Sequence, residues 1–464
     1  MRCATVRVPL DYRNPHGPTI EIMISRIATA KPGLRRGVLF HNGGGPGAPS
    51  LHLPSAYAQI YPQEVLDRYD LIGFDPRGVG YSAPVTCGRT AEQYPLDLYF
   101  PFPAPEDGSI ARNVSFAREV ARDCQKNGGA ALPYITTANT ARDMDRIRLA
   151  LGERKISYNS GSYGSYLGAV YATLFADRTD RFVIDSNVDP NRVWHKQLAL
   201  WDAGMELRFA DIATWLAERN DTYHLGATPE EVRRGLFDLI ARLDANPGMI
   251  PGLGEVTGNT MRAIVFGESY HTAFFPELGE IWSYLDQGGG ATAAKIAAPP
   301  LVPADNLRAS QLAVFCGDAA MPRDIGHYQR EVTADRARYP LMTGAGTNIW
   351  PCAFWRAPIE PPVKVTSKGP ANILMVQTLR DPATPYLGAL GMRQALGQRA
   401  RMVSVDTGNH GAYDPSTPSC AVREVHRYLE TGVLPARDQF CAPDPVAPEA
   451  KTTTLPTNLP MLTW

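Results

Sequence analysis

The chain has 464 residues, of which 44% are hydrophobic and 20% are charged. Its 46 lysines and arginines and 47 aspartates and glutamates leave a net charge of -1, which argues against a protein that binds nucleic acid through phosphate contacts. The longest apolar run, residues 166–176, is interrupted by Gly168 and Thr173, so we expect no membrane span. The length predicts about three domain-sized units, or one large domain with an insertion.

Short β-branched or aromatic runs alternate with helical segments along the chain, a pattern that favours an α/β fold. Helical periodicity over 140–151 places Met144, Ile147 and Leu151 on one face, directly before a strand. The sequence predicts strands over residues 5–10, 19–27, 37–40, 69–74, 156–158, 182–185, 373–378 and 402–405. We therefore expect a mostly parallel sheet of eight strands.

Residues 190–365 differ in character from the parts of the chain on either side. Long helical patterns over 201–217 and 229–243 are joined there by connections rich in proline and glycine. We interpret this segment as a mainly helical cap, inserted after the sixth strand. The predicted domains are thus a core formed by residues 1–189 and 366–464, interrupted by this cap.

The strongest chemical signal lies where the fifth predicted strand meets a helix. Ser162 is flanked at two residues on either side by Ser160 and Gly164, so the pattern is S-x-S-x-G instead of G-x-S-x-G. Small neighbours allow the tight strand-to-helix turn that exposes a nucleophilic hydroxyl above a sheet. The alternative is a turn whose small residues only pack the helix against the strand.

A serine nucleophile needs a base and a group that orients the base. Of the nine histidines, His410 alone follows the last predicted strand in a loop next to glycine, whereas His195 and His327 in the insertion lack a partner motif and are expected to be structural or substrate-lining. Asp381 follows the seventh strand, although it would also suit a helix cap near Pro385. The chain order serine, aspartate, histidine is that of α/β-hydrolases.

A glycine-rich segment, residues 41–47, follows the third strand. Consecutive glycines let backbone N–H groups approach a developing oxyanion, and the N–H of Tyr163 would supply a second donor. A phosphate-binding loop is the alternative, but the spacing fits neither common phosphate motif.

With these residues in place, the sequence resembles the secreted tripeptidyl aminopeptidase family of α/β-hydrolases, relatives of the prolyl aminopeptidases. The matching motifs lie at residues 8–12, 42–47, 73–82, 162–168, 381–385 and 408–411 and in the tail from Cys420 to Cys441. The resemblance implies an α/β-hydrolase fold and a serine exopeptidase that releases short peptides from free N-termini. It also implies Ser162, Asp381 and His410 as nucleophile, acid and base, and Gly45 with Tyr163 as the oxyanion hole.

Three departures from the family pattern surround the site. Ser160 replaces the usual glycine, Gly43 replaces a proline, and Pro49 and Ser50 replace a Ser-Gly pair. The last two alter the oxyanion loop, so a hydrolase of esters, lactones or small amides is an alternative, as is a catalytically silent binding protein. No metal or organic cofactor is implied.

Recognition of a substrate's free amine calls for a carboxylate, because a buried ammonium needs a partner to offset its desolvation. We predict Glu206 in the insertion as that partner; the alternative is a solvated helix residue paired with an arginine or lysine. Trp201, Tyr270, Phe274 and Phe275 would line the pocket or pack in a core.

Seven cysteines raise the question of compartment. Neighbouring couples are Cys87 with Cys124, Cys316 with Cys352 and Cys420 with Cys441, which leaves Cys3 over. This is one of about 105 arrangements, and seven free thiols in a cytosolic protein are the alternative. Because residues 1–3 lead directly into the strand-like residues 4–10, the protein is expected to be either cytosolic or numbered after a removed leader. The resemblance to a mostly exported family favours export and disulfides.

Overall fold

The computed structural model describes residues 1–250, 253–288, 302–415 and 419–442, and its central element is a nine-stranded sheet. In chain order the strands of that sheet are β1 (Arg2–Pro9), β2 (Thr19–Ile27), β3 (Gly37–Asn42), β4 (Tyr69–Phe74), β5 (Ile156–Gly161), β6 (Thr179–Asp185), β9 (Ile373–Thr378), β10 (Ala400–Val405) and β11 (Gln439–Cys441). A separate hairpin joins β7 (Gly248–Ile250) to β8 (Gly254–Val256).

The sheet order is β1-β2-β4-β3-β5-β6-β9-β10-β11. The first two pairings, of β2 with β1 and with β4, are antiparallel, and the other pairings are parallel. Every residue of β3, β4 and β9 is buried, which is the burial expected of strands covered by helices on both faces. The α/β-hydrolase fold predicted above is confirmed.

The predicted count of eight strands is wrong for the described residues. The strand that was missed, β11, has only three residues, and Phe440 at its centre is exposed. Such a short segment carries no hydrophobic alternation, so its pairing with β10 leaves no trace in the sequence pattern.

The described residues form sixteen α-helices. They are α1 (Leu53–Ile60), α2 (Gln63–Leu66), α3 (Leu96–Tyr99), α4 (Ala111–Asn127), α5 (Thr137–Ala150), α6 (Tyr163–Leu174), α7 (His195–Leu198), α8 (Leu200–Ala217), α9 (Asn220–Tyr223), α10 (Pro229–Ala245), α11 (Gly258–Glu268), α12 (Phe275–Asp286), α13 (Asn306–Asp318), α14 (Ile325–Arg338), α15 (Tyr386–Leu396) and α16 (Cys420–Thr431). None of them is long and apolar enough to cross a membrane.

The segment between β6 and β9 contributes to two hydrophobic cores. Helices α8, α10, α11 and α12 bury one another's apolar faces and form a core that is distinct from the one around the sheet. Helix α13 instead packs Leu312 and Phe315 into the main core. The domain limits given above stay a prediction, and residues 289–301 and 443–464 within those domains lie outside the described residues.

Three disulfides link neighbouring elements in the described part of the chain. They join Cys87 to Cys124, Cys316 to Cys352 and Cys420 to Cys441, and Cys3 is an exposed thiol. The pairing predicted from sequence proximity is confirmed. The third bridge ties the start of α16 to the edge strand β11.

Candidate active site

Ser162 stands at the sharp turn between β5 and α6. Its backbone has φ 57° and ψ -131°, a conformation that few residues other than glycine adopt. A β-carbon on Gly164 would overlap the Ser160 hydroxyl, so this turn requires glycine at position 164. Ser160 fits in place of the usual glycine because its Oγ donates a 2.7 Å hydrogen bond to the Asn42 carbonyl.

His410 and Asp381 form a close pair at the same edge of the sheet. The His410 Nδ1 lies 3.0 Å from both carboxylate oxygens of Asp381, and the Asp381 side chain is fully buried. The pair and Ser162 come from loops that follow β5, β9 and β10, and the carboxyl ends of these parallel strands meet at one edge. Ser162 and His410 line one cavity.

Four further donors hold the Asp381 carboxylate. The backbone N–H groups of Ala383 and Thr384 donate to Oδ1 at 2.9 and 2.8 Å. The hydroxyls of Ser186 and Thr384 donate to Oδ2, both at 2.8 Å. Ser186 Oγ also accepts a hydrogen bond from the N–H of Gly411, so one serine braces both the acid and the loop that carries the histidine.

The charges of this pair depend on each other. Burial raises the pKa of Asp381, but the positive charge of His410 and the hydrogen bonds around the carboxylate outweigh burial and leave that pKa below its usual range. Burial lowers the pKa of His410, but the charge of Asp381 and its hydrogen bond raise that pKa by more than burial lowers it. The pKa of His410 therefore lies above the usual 6.5. A carboxylate beside an imidazole is the arrangement that fixes a general base in one tautomer.

The glycine loop after β3 covers the serine turn. Gly44, Gly45 and Gly47 have φ values of 78°, 103° and 100°, which side-chain-bearing residues rarely adopt. A β-carbon on Gly44 would lie 3.3 Å from the Ser162 Cβ, so only glycine lets the loop approach so closely. The Gly44 N–H donates a hydrogen bond to Asn42 Oδ1.

The two residues predicted for the oxyanion hole both line the cavity. Tyr163 is the first residue of α6, where a backbone N–H has no acceptor within the helix. Gly45 lies in the glycine loop that lines the same cavity, and its N–H stays our candidate for the second donor.

A hydrogen bond connects the two departures in this loop. The N–H of Gly43 donates to Ser50 Oγ at 2.9 Å, and the N–H of Ser50 donates to Asp75 Oδ1 at 2.8 Å. Ser50 Oγ donates in turn to the Ala48 carbonyl. The loop is therefore cross-braced by the residues that depart from the family pattern.

The cavity has a volume of about 500 Å³ and lies between the sheet edge and the cap. Aromatic side chains supply much of its wall: Trp194, Trp201, Tyr270, Phe315 and Trp350 from the cap, with Tyr99 and Phe100 from the segment before β5. Of the aromatic residues singled out from the sequence, Trp201 and Tyr270 line the cavity. Phe275 packs in the cap core instead, and Phe274 contacts His271.

Glu206 does not lie where the sequence analysis placed it. Its Oε2 pairs with Arg233 Nη2 at 2.8 Å, and its Oε1 accepts from the N–H of Leu341 at 3.0 Å. It is not among the residues that line the cavity. The structure therefore places Glu206 outside the cavity wall and pairs it with an arginine, which supports the alternative given above.

A network from the cap holds the histidine loop and was missed from the sequence. The N–H of His410 donates to the Tyr270 carbonyl at 2.6 Å. Asn409 Oδ1 accepts from the N–H of Thr272 and from the buried guanidinium of Arg208. These contacts join residues that are distant in the chain, so no local sequence motif predicts them. Ser186 could have been found, because it directly follows a parallel strand.

Comparison with known proteins places this geometry in a family. Residues 38–258 match the family model described as alpha/beta hydrolase fold, and residues 340–441 match the model described as TAP-like protein. The chain is 37% identical over 459 residues to a tripeptidyl aminopeptidase of Streptomyces lividans, a match that covers 96% of this chain and 84% of that protein.

Two mycobacterial relatives have other names. The chain is 30% identical to carboxylesterase B of Mycobacterium tuberculosis, over 95% of this chain and 86% of that protein. It is 28% identical to serine protease Hip1 of the same organism, over 95% and 87%. The fold and the site together define a serine hydrolase of the α/β-hydrolase class. Within that class, the chain belongs to the tripeptidyl aminopeptidase family.

Proposed function

We propose that the protein is a serine aminopeptidase that releases short peptides from free N-termini. The observation that supports this most strongly is that His410, paired with the buried Asp381, lines the same cavity as Ser162 in its strained turn. In the proposed reaction, Ser162 Oγ attacks the substrate carbonyl while His410 takes its proton. Backbone N–H groups of Gly45 and Tyr163 stabilise the oxyanion.

The remaining steps return the protein to its starting state. His410 gives its proton to the leaving amine, and an acyl group stays bound to Ser162. Water, activated by the same imidazole, then hydrolyses this ester and frees the peptide. Asp381 holds the imidazole in position throughout and is not itself protonated.

We propose Glu268 as the carboxylate that recognises the substrate's amine. Glu268 ends α11 directly behind the cavity wall: it is not itself a lining residue, but Gly267 before it and Tyr270 after it both line the cavity. Glu268 is fully buried, and neither of its carboxylate oxygens has a hydrogen-bond partner among the described residues. Burial and the nearby Glu277 raise its pKa to about 9. An ammonium group would supply the positive partner that this carboxyl lacks.

Paired substrates test the reaction and its dependence on the amine. We expect turnover of tripeptidyl p-nitroanilides with a free N-terminus and little turnover of their N-acetylated counterparts. Labelling of the protein by a fluorophosphonate probe, lost in Ser162→Ala, would establish the nucleophile. An unlabelled wild-type protein would contradict the proposal and favour a binding protein.

Hydrolysis of esters or small amides is the second candidate. Asp185 is the one acidic residue among the described residues that line the cavity, and its carboxylate already accepts from the N–H groups of Ala412 and Tyr413. The cavity wall itself thus offers no free carboxylate to an ammonium. Turnover of p-nitrophenyl esters without turnover of any p-nitroanilide would favour this candidate.

We also propose that the protein works outside the cytoplasm. Its three disulfides support this, since such bonds persist mainly in oxidising compartments. Mass spectrometry of the unreduced, freshly isolated protein should find these three bonds. Free thiols at Cys420 and Cys441 would contradict the proposal.

A further inference from the structure

Three side chains of the kinds that ligate metal ions meet between α7 and α14, and the reaction proposed above uses none of them. His195 is the first residue of α7, shortly after β6. His327 and Glu331 lie four residues apart on α14 and therefore project from the same face of that helix. The two histidines are far apart in the sequence, so only the fold brings them together.

The ligand atoms of these residues are close enough to share one ion. Glu331 Oε2 lies 2.8 Å from His195 Nε2 and 3.3 Å from His327 Nε2. One atom from each of the three residues lies within 4.8 Å of the others. Two ligands of a tetrahedral zinc ion, each about 2.0 Å from the metal, are separated by roughly 3.3 Å. Binding therefore requires only a small approach of the two imidazoles.

The exposure of the three side chains suits capture of an ion from solution. His327 and Glu331 are 36% and 37% exposed and have room to adjust, whereas His195 is 10% exposed and is held by the surrounding protein. The ring of Tyr328 packs edge-on against His195 at 5.1 Å. One fixed ligand and two adjustable ligands open to solvent would form a site with a free position for water.

We propose that His195, His327 and Glu331 bind one divalent transition-metal ion, with zinc as the ion that this donor set favours. Two imidazoles and one carboxylate are a common set of protein ligands for zinc, and they exclude magnesium and calcium, which prefer oxygen ligands. The alternative is a set of hydrogen bonds between the glutamate and the histidines, with no affinity for metal.

The bound ion would connect the cap to a wall of the cavity. His195 directly follows Trp194 and shares α7 with Gln197 and Leu198, and these three residues line the cavity. An ion held jointly by α7 and α14 would therefore stabilise this wall. Zinc should raise the melting temperature of the protein, because a ligand that binds only the folded state stabilises it.

Calorimetric titration of the whole chain with zinc chloride tests the site. The protein is prepared without a histidine tag, and bound metal is removed with a chelator beforehand. We expect one ion per chain, and at least tenfold weaker binding in both His327→Gln and Glu331→Gln. His16→Ala, which removes an exposed histidine elsewhere, is the matched control and should bind zinc as the wild type does.

Two further measurements separate this site from other sources of zinc binding. Titration in a His410→Ala background removes the proposed active-site imidazole and should leave the stoichiometry unchanged. Cobalt should give the intense visible absorption of a tetrahedral site in the wild type but not in His327→Gln. Circular dichroism and melting without metal show whether each variant is folded.

The proposal is overturned if the wild type takes up no zinc. It is equally overturned if folded His327→Gln and Glu331→Gln proteins bind zinc as tightly as the wild type.

Discussion

Two buried carboxyl groups near the cavity, one at the sheet edge and one in the cap, have opposite surroundings. Asp381 accepts hydrogen bonds from five donors, and its pKa lies below the usual range. Glu268 has no hydrogen-bond donor among the described residues, and its pKa is raised to about 9. The surroundings of the first group favour its charged form, whereas burial without a donor favours the neutral form of the second. Under the proposed function, the carboxylate that serves catalysis is held in the core, and the carboxyl that recognises the substrate lies in the cap.

Removal of the nucleophile should have the largest effect on the sheet side. We expect Ser162→Ala to lower kcat/KM by about 10⁶-fold, because the acyl-enzyme can no longer form. Steady-state kinetics with a tripeptidyl p-nitroanilide measures the loss. Retention of substantial activity in this variant would show that another residue attacks the substrate.

Replacement of the acid tests whether its charge matters. Asp381→Asn keeps the shape of the side chain but favours the wrong tautomer of His410, and we expect kcat/KM to fall by about 10⁴-fold. Circular dichroism should match the wild type. A loss smaller than tenfold would contradict the role of a prepared carboxylate.

The pH dependence of the reaction follows from the raised pKa of His410. An imidazole that is protonated cannot accept the serine proton, so activity should be lost as the pH falls through the His410 pKa, at a midpoint above 6.5. Below the midpoint, kcat/KM should drop about tenfold per pH unit. An ester substrate without an amine is the suitable probe, because it leaves Glu268 out of the profile.

The cap side of the comparison rests on Glu268. We expect Glu268→Gln to raise KM for substrates with a free amine about tenfold, through loss of a charged partner, and to leave an N-acetylated ester unaffected. Glu206→Gln is the matched control, because that glutamate pairs with Arg233 away from the cavity. Equal effects of the two variants would contradict the assignment.

The smallest effect concerns the loop that covers the serine. Ser50→Ala leaves the part-buried Gly43 N–H without its acceptor, which should lower the free energy of unfolding by about 0.5 to 1.5 kcal/mol. Thermal or denaturant unfolding measures the change, with Ser367→Ala at an exposed serine as the control. An unchanged stability would show that water replaces the lost partner.

Local sequence patterns predicted most of the fold and part of the candidate site. Strand periodicity gave the α/β class, and the small residues around Ser162 predicted a turn that the structure places between β5 and α6. Neighbouring cysteines gave the three disulfides. Each of these signals depends on residues close together in the chain.

The structural features that the sequence analysis did not predict depend on contacts between distant segments of the chain. Which way Glu206 turns is decided by Arg233 on another helix, and a single helix pattern does not contain that partner. The same reason hid the contact of Arg208 with Asn409. No sequence pattern marks Glu268 either, because a buried carboxyl without a hydrogen-bond donor is recognised only from the structure around it.

The bond between Gly43 and Ser50 also bears on how such a loop can evolve. A proline at position 43 has no N–H to satisfy, so it tolerates a glycine at position 50, whereas a glycine at 43 adds a part-buried donor that the serine hydroxyl accepts from. If the serine at position 50 is acquired first, the intermediate still has proline at position 43 and no unpaired donor there. If the proline is lost first, the new N–H at position 43 has no serine acceptor. The two positions should therefore change together among descendants of a common ancestor, with serine arriving before the proline is lost.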